Sequence, residues 1–287
     1  MTNRRIGDLE VGPIALGGYP YGARDASEDD ASRAAIHVAI DAGMTLIDSA
    51  LAYTSLEEPA HADRIISDAI RTHQCGPGVV LATKGGHRRA DDSWPKDARP
   101  EALRRDCEAS LRAMERDVID VYYLHWPDPA IPFDEQVGGL AELRAAGLIR
   151  HIGLSNVDVE QLEIATAIAP VAAVQNPYSP LRPDRRTLRY CEDRGIAFVA
   201  YSPLGGSTAA ANADRELPAF AEVATAHGVS TQRVILAWLL AQSPVMIPIA
   251  GATQPATIRD SASAANLDLS PDEVARLTAS LSNSSSG

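Results

Sequence analysis

Short apolar runs alternate with longer stretches whose apolar residues recur every three or four positions, and this alternation extends down the whole chain. The apolar runs are "PIALGG" (13–18), "TLIDSA" (45–50), "VVLATK" (79–84), "DVYYLH" (120–125), "HIGLSN" (151–156), "VAAVQN" (171–176), "IAFVAYSP" (196–203) and "VMIPIAG" (245–251). Most are continuously apolar, as expected of strands covered on both faces in a parallel sheet. The segments between them carry helical signals. "ASEDDASRAAIHVAIDAG" opens with acids and gathers Ala35, Ile36, Val38, Ala39 and Ile40 before Gly43. "RPEALRRDCEASLRAM" places Pro100 at a helix start and Leu103, Cys107, Leu111 and Met114 along one face. "FDEQVGGLAELRAAG" and "DVEQLEIATAIA" follow the same pattern.

Eight strands with interleaved helices predict an α/β chain folded as a (β/α)8 TIM barrel, a single domain over residues 1–287 with a frayed tail, "SNSSSG", at 282–287. A doubly wound sheet would need a phosphate-binding glycine loop after an early strand, and no G-x-G-x-x-G occurs. The 287 residues, 45% of them hydrophobic, suffice for a large core, and no linker-like stretch divides them. Net charge is −12 with the basic residues scattered, which argues against nucleic acid as a partner. Three distant cysteines (Cys75, Cys107, Cys191) form neither a disulfide framework nor a metal cluster. "MTNRRIGDLEVG" has no apolar core of a signal peptide, and no run is long enough to span a membrane, so a cytoplasmic location is expected.

In a barrel the reacting groups come from the carboxyl ends of the strands. Read in order, those exits are Asp48 with Tyr53, Lys84, His125, Asn156, Gln175, and Tyr201 with Ser202. Taken singly, each has an ordinary reading. Asp48 suits a helix N-cap or turn, Tyr53 loop packing, Lys84 a solvated loop charge and His125 a satisfied core histidine. Together at successive strand ends they point to proton chemistry. A free tyrosine titrates near ~10 and donates poorly at neutral pH. A nearby ammonium is expected to lower that value, and Asp48 to satisfy the lysine's charge. His125 is placed to hydrogen-bond a substrate oxygen or pass a proton. Such a phenol suits general-acid catalysis on a carbonyl being reduced.

At these residues the sequence resembles the aldo-keto reductase family, from "VGPIALGGY" to "ATIRDSASAANLDLS". The resemblance implies a nicotinamide-dependent carbonyl reductase whose catalytic tetrad is Asp48, Tyr53, Lys84 and His125. Tyr53 is then the proton donor, Asp48 and Lys84 tune it, His125 orients the carbonyl, and hydride comes from the nicotinamide. "GLSN" resembles the segment that binds the nicotinamide amide, giving Ser155 and Asn156 with Gln175 beside them. "AYSPLGGS" resembles the segment whose aromatic, Tyr201, stacks on the nicotinamide while Ser202, Leu204 and Gly206 approach the pyrophosphate. The general chemistry agrees: a flat aromatic offers its face to a ring, and glycine lets backbone donors approach phosphate. Tyr19 and Trp126 are expected to wall the substrate pocket. Taken alone, Trp126 reads equally well as core packing and "SPLGGS" as an ordinary turn.

The chain also departs from the family pattern. Family members often place a Lys and, six residues later, an Arg against the adenosine 2′-phosphate, where "AGATQPATIRDS" has Gly251 and Thr257. Arg259 is then the nearest cation, with Gly251 and Thr253 as further cofactor contacts. NADPH is the expected cofactor, with NADH also possible. The usual "YG-x-x-E" becomes "YTSLEE", and little chain follows the last barrel helix, which implies an open substrate pocket. A small-molecule carbonyl substrate and a monomer or weak oligomer are expected. Three other functions compete. A metal-dependent isomerase or hydrolase would need several converging Asp, Glu or His ligands, and only Asp48 and His125 qualify. A nucleotide-sensing barrel without turnover would have no use for a tuned phenol. A ketoreductase for a sugar or secondary metabolite would differ in loops such as 85–100, whose Arg88 and Arg89 read as solvated charges.

Overall fold

Among the described residues, ten strands and the helices between them build the molecule. In order they are β1 (Arg4–Ile6), β2 (Leu9–Val11), β3 (Ala15–Gly17), β4 (Leu46–Asp48), β5 (Val80–Gly85), β6 (Ile119–Leu124), β7 (Ile149–Ser155), β8 (Val171–Pro177), β9 (Ala197–Tyr201) and β10 (Met246–Ala250). The computed structural model of the chain describes residues 2–22, 26–54, 58, 60–90 and 93–283. Strands β3 to β10 close into one parallel barrel in the order β10-β3-β4-β5-β6-β7-β8-β9, the expected (β/α)8 architecture. Each expected apolar run coincides with one barrel strand; β3, β4, β9 and β10 are shorter than their runs, while β5, β6, β7 and β8 extend one or two residues beyond them.

Helices form where sequence signals start and stop them. Pro100, Pro218 and Pro255 open three of them at a position that needs no amide donor. Asp158 caps another through a reciprocal pair: its carboxylate accepts from the Gln161 amide at 2.8 Å, and the Gln161 side chain accepts from the Asp158 amide at 3.1 Å. Gly195 and Gly228 end two helices in the left-handed conformation.

The strands alternate more than a first look suggests. One set of residues (Ala15, Leu46, Val80, Ala82, Val121, Tyr123, Ala173, Ala197, Val199, Ile247, Ile249) packs inside the barrel, and the other faces the helices. Both faces are apolar, so the period of two is hidden in the sequence. It nevertheless sets the function. Following the inward rows two residues at a time leads from Leu46 to Asp48, from Val80 and Ala82 to Lys84, and from Val121 and Tyr123 to His125. The same step leads from Ala173 to Gln175 and from Ala197 and Val199 to Tyr201.

The opposite mouth is closed by the antiparallel hairpin β1–β2, absent from the sequence reading. Ile6, Leu9 and Val11 join the inner apolar cluster as a plug. Gly7 turns the hairpin at φ +60°, and a Cβ there would meet the His151 ring at 2.4 Å, so both conformation and space require glycine. The final helix, Pro271–Asn283, takes in two residues expected to belong to a frayed tail; 284–287 lie outside the described residues. Among the described residues, no helix is long and apolar enough to cross a membrane.

Arg4 ties the plug down. Its buried guanidinium donates to the Met246 carbonyl at 3.1 Å and the Leu240 carbonyl at 3.2 Å. Arg4→Met keeps the stem but leaves those carbonyls unpaired, and should cost about 2 kcal/mol. The denaturant midpoint should fall with the slope of the transition unchanged; an unmoved midpoint would show that the plug does not need this anchor.

Candidate active site

The inward polar residues meet at one mouth of the barrel. Lys84 has no solvent exposure, and its ammonium donates to Asp48 Oδ2 at 2.6 Å and to the Ser49 carbonyl at 2.7 Å. A third, longer contact of 3.4 Å runs to the Tyr53 hydroxyl, and the ammonium also sits 4.8 Å from the centre of that ring. The remaining Asp48 oxygen accepts from Gln175 Nε2 at 2.7 Å. Tyr53 is presented by a tight turn in which its amide donates to the Ala50 carbonyl at 2.9 Å. Gly22 lies against the Tyr53 backbone so closely that a Cβ would meet the Tyr53 carbonyl oxygen at 2.2 Å. The Tyr53 ring meets Tyr19 edge-on at 5.3 Å and His125 at 5.9 Å. Residues 55–57 and 59, in the altered "YTSLEE" stretch, lie outside the described residues.

The electrostatics correct one expectation. Burial opposes the charge on Lys84, but Asp48 and the phenol outweigh it and hold the lysine above its usual value, so it stays an ammonium. Burial also pushes the Tyr53 phenol up; Lys84 pulls it down, but the net direction is upward. The lysine therefore offsets the cost of forming a phenolate without releasing the proton at neutral pH. His125 is held well below the usual histidine range by burial, reinforced by Lys84 and His87. It is a neutral imidazole, suited to hydrogen-bonding a substrate and unsuited to carrying a spare proton. Its Nδ1 is buried without a hydrogen-bond partner among the described residues, and the His87 ring packs 5.0 Å away.

Above these groups opens a cavity of about 650 Å³, within the usual range for a small-molecule or cofactor site. Of the expected residues it is lined by Tyr19, Asp48, Tyr53, His125 and Trp126 at one side. Ser155, Asn156, Gln175, Tyr201, Ser202, Leu204, Gly206 and Gly251 continue it. Lys84 sits behind that wall. Thr253 and Arg259 do not line the cavity. Thr257 and Ser261 do, one helical turn apart, so Arg259 midway between them belongs to another face of the helix Pro255–Ala262. No Lys or Arg lines the cavity among its described residues.

Several of these residues are pre-set. Asn156 sits at φ +60° and donates to the His125 carbonyl at 3.0 Å, while its Oδ1 accepts from the Tyr201 hydroxyl at 2.7 Å. Ser202 also has positive φ, at +49°. Such strained positions persist where surrounding structure fixes them, commonly at ligand sites. Gly206 lines the cavity at φ +96°, and a Cβ there would project into open space, leaving its backbone accessible to a ligand. Gln175, expected beside a nicotinamide amide, lines the cavity and donates its amide nitrogen to Asp48. Sequence reasoning missed Gly17, Gly18 and Pro20, which line the same cavity from the end of β3. Gly18 admits no side chain, because a Cβ would meet the Asp48 carbonyl oxygen at 2.4 Å. The double glycine after an apolar run was the available signal. Among the described residues no three His, Cys, Asp or Glu side chains gather as for a metal ion.

Comparison with known proteins finds relatives of the same fold along nearly the whole chain. The model of the aldo/keto reductase family matches residues 13–282. An uncharacterised oxidoreductase of Schizosaccharomyces pombe is 32% identical over 279 residues, covering 95% of this chain and 88% of that protein. Among solved structures, a thermostable aldo-keto reductase bound to the inhibitor epalrestat superposes with a TM-score of 0.82 at 30% identity, covering 98% of this chain and 100% of the other. An aldo/keto reductase from Klebsiella pneumoniae in complex with NADP and acetate gives 0.82 at 28% identity, with 98% and 95% covered.

The neutral imidazole has a consequence for stability. The folded His125 binds its proton only well below the ordinary value near ~6.5, at which the unfolded chain takes one up. Folding stability should therefore fall as pH drops through the ordinary histidine range, because the unfolded state binds more protons there. His87, also lowered by burial and by Lys96, acts in the same direction. Urea unfolding at stepped pH should lose part of this slope in His125→Gln; an identical slope in the variant would refute a neutral buried His125.

Proposed function

The chain belongs to the aldo/keto reductase family and is an NAD(P)H-dependent oxidoreductase; on that premise we propose that it reduces the carbonyl of a small molecule to an alcohol, with Tyr53 delivering the proton. One observation carries the reading. A fully buried ammonium, Lys84, is held by Asp48 beside the hydroxyl of Tyr53, which lines the cavity.

When bound, a reduced nicotinamide supplies the hydride. The chain supplies the rest. A carbonyl oxygen entering between Tyr53 and His125 accepts a hydrogen bond from the phenol, and from a neutral imidazole nitrogen that leaves no stray proton behind. As charge develops on that oxygen, the phenol's proton moves to it, and the positive charge of Lys84 stabilises the phenolate left behind. Asp48 and the Ser49 carbonyl keep Lys84 aimed at the phenol and away from solvent. Tyr19 and Trp126 give the substrate apolar walls and exclude water from the reacting oxygen.

The donor set fits a dinucleotide. Ser155, Asn156 and Tyr201 stand next to the tetrad where a nicotinamide would rest. Ser202, Leu204 and Gly206 follow where a pyrophosphate would pass, and Gly251, Thr257 and Ser261 lie beyond them. We take NADPH as the cofactor, with NADH accepted, because hydroxyls and not cations face the adenosine end. Arg259 is assigned no direct grip on the 2′-phosphate.

Tyr53→Phe removes the acid but not the wall. The rate of cofactor oxidation with aldehydes should drop at least about a hundredfold. NADPH affinity, read from quenching of tryptophan fluorescence, should stay nearly constant. Turnover that survives in this variant would exclude Tyr53 as the acid. For the adenosine end, Thr257→Arg puts a cation on the cavity face and should tighten NADPH about tenfold, roughly 1.4 kcal/mol, with NADH little changed. Arg259→Ala should leave both affinities alone, and selective loss of NADPH binding there would return the phosphate contact to Arg259.

A further inference from the structure

Behind the proton-delivery pair lies a second carboxylate that the mechanism does not use. Asp63, on the helix His61–Thr72, has no solvent exposure. Its Oδ1 accepts from Ser49 Oγ at 2.6 Å and from Thr83 Oγ1 at 2.8 Å, and its Oδ2 accepts from Ser110 Oγ at 2.6 Å. All three donors are neutral hydroxyls, and none of these bonds comes from a cation. Two of them belong to the immediate neighbours of the catalytic pair: Ser49 follows Asp48, and Thr83 precedes Lys84. Ser49 also offers its carbonyl to the Lys84 ammonium at 2.7 Å.

We propose that Asp63 is a positioning residue for proton delivery, an anion behind the sheet that fixes Ser49 and Thr83 and thereby holds the Lys84 ammonium against Tyr53. The proposal rests on reading Tyr53 and Lys84 as the proton-delivery pair. Its physical basis is the cost of a buried carboxylate. Hydroxyl donors alone repay only part of the lost hydration, and a purely structural knot of three hydroxyls needs no charge at its centre. Burial pushes the Asp63 carboxyl above the usual carboxylate range, and the three hydroxyls and the Lys84 charge oppose that rise without cancelling it. Lys84 thus lies between two acids: Asp48 touches it, and Asp63 sets the carbonyl that touches it. The strand rungs bring this about, since Asp48 pairs with Ala82 across β4 and β5, leaving Ser49 and Thr83 on the outward face towards the helix. Helix Pro100–Met114 closes the knot through Ser110. The barrel's outer layer therefore reaches the reacting phenol through one carboxylate and one backbone carbonyl.

The chain contains only two lysines, Lys84 and the exposed Lys96, so lysine-labelled protein gives two side-chain ammonium signals by nuclear magnetic resonance. The titratable groups facing Lys84 are Asp48, Tyr53, Asp63, His125 and, across the cavity, Tyr201. In Asp63→Asn, Lys84 should lose its proton at a pH about one unit lower than in the wild type, a tenfold change in its ionisation, with Lys96 unmoved. Turnover number should fall about tenfold while cofactor affinity by fluorescence is retained, since Asp63 touches neither cavity nor ligand. A structural role alone would lower the melting temperature without moving the Lys84 signal. A folded Asp63→Asn with Lys84 titration and turnover number both unchanged overturns the proposal. If that variant does not fold, Ser49→Ala, which keeps the carboxylate and cuts its link to the residue whose carbonyl holds the Lys84 ammonium, decides in the same way. Should the wild type reduce no carbonyl, the reductase reading falls, yet the lysine signal still decides the role of Asp63.

Discussion

A lysine ammonium with no exposure to water is the constraint around which this molecule is arranged. Stripping such an ion of hydration costs several kcal/mol even after the protein relaxes, so a fold that keeps it must surround it with matched partners. Here they are Asp48, the Ser49 carbonyl and the Tyr53 oxygen, one for each ammonium proton. Each partner then needs support of its own. Asp48 gives its second oxygen to Gln175, on the far side of the barrel, so the charge ties β4 and β5 to β8 across the barrel interior. The ion pair is thus a cross-brace as well as a catalytic device, and the geometry that makes it affordable is the closed sheet.

That geometry follows from the two-residue period of the strands. In β4, β5, β6, β8 and β9 a single inward row begins with Val, Leu or Ala near the hairpin plug and ends in an ionisable or amide side chain at the opposite mouth. The barrel interior therefore runs from dry to polar along its axis. At the dry end, Ile6, Leu9 and Val11 keep water from the rear of Lys84; at the polar end, the cavity admits a ligand to Tyr53 and His125. The low-dielectric floor strengthens every interaction above it, including the pull of Lys84 on the phenol. It also raises the phenol's own pKa, and the balance between these two effects sets how readily the proton leaves.

The parts legible in the sequence were those written in single strands. Eight apolar runs, six of them carrying a polar residue at or near their ends, suffice to place Asp48, Lys84, His125, Asn156, Gln175 and Tyr201 at one rim, because position along a strand decides height in a barrel. What stayed hidden depends on relations between segments. The hairpin "RRIGDLEV" carries a clear local signal, apolar Ile6, Leu9 and Val11 around a two-residue Gly-Asp turn, but it is short and was masked by the neighbouring charges. The Asp63 knot joins four segments through hydroxyls, and no spacing along the chain announces it. Gln175 was legible as a residue of the cavity wall, but its bond to Asp48 across the barrel was not, because sequence cannot tell which neighbour an amide nitrogen will choose. Arg259 looked near the phosphate by count, yet helical phase sets it apart from Thr257 and Ser261.

The raised phenol bears on direction. On the proposed chemistry, reduction begins with a protonated Tyr53 and ends with phenolate, while oxidation of an alcohol begins with phenolate. A phenol at its ordinary value near ~10 is already protonated at neutral pH, and burial, which pushes Tyr53 higher still, makes its phenolate scarcer. Lys84 lowers the cost of phenolate in both directions alike, so it speeds the proton's transfer without choosing between them. The bias comes from the walls: Tyr19 packed edge-on against Tyr53 and the apolar floor beneath exclude water that would otherwise stabilise the anion. A site that was wetter around the same four residues would form phenolate at a lower pH. On the proposed chemistry, the degree of enclosure around Tyr53 sets how high the pH must rise before phenolate, the starting state for oxidation, is populated.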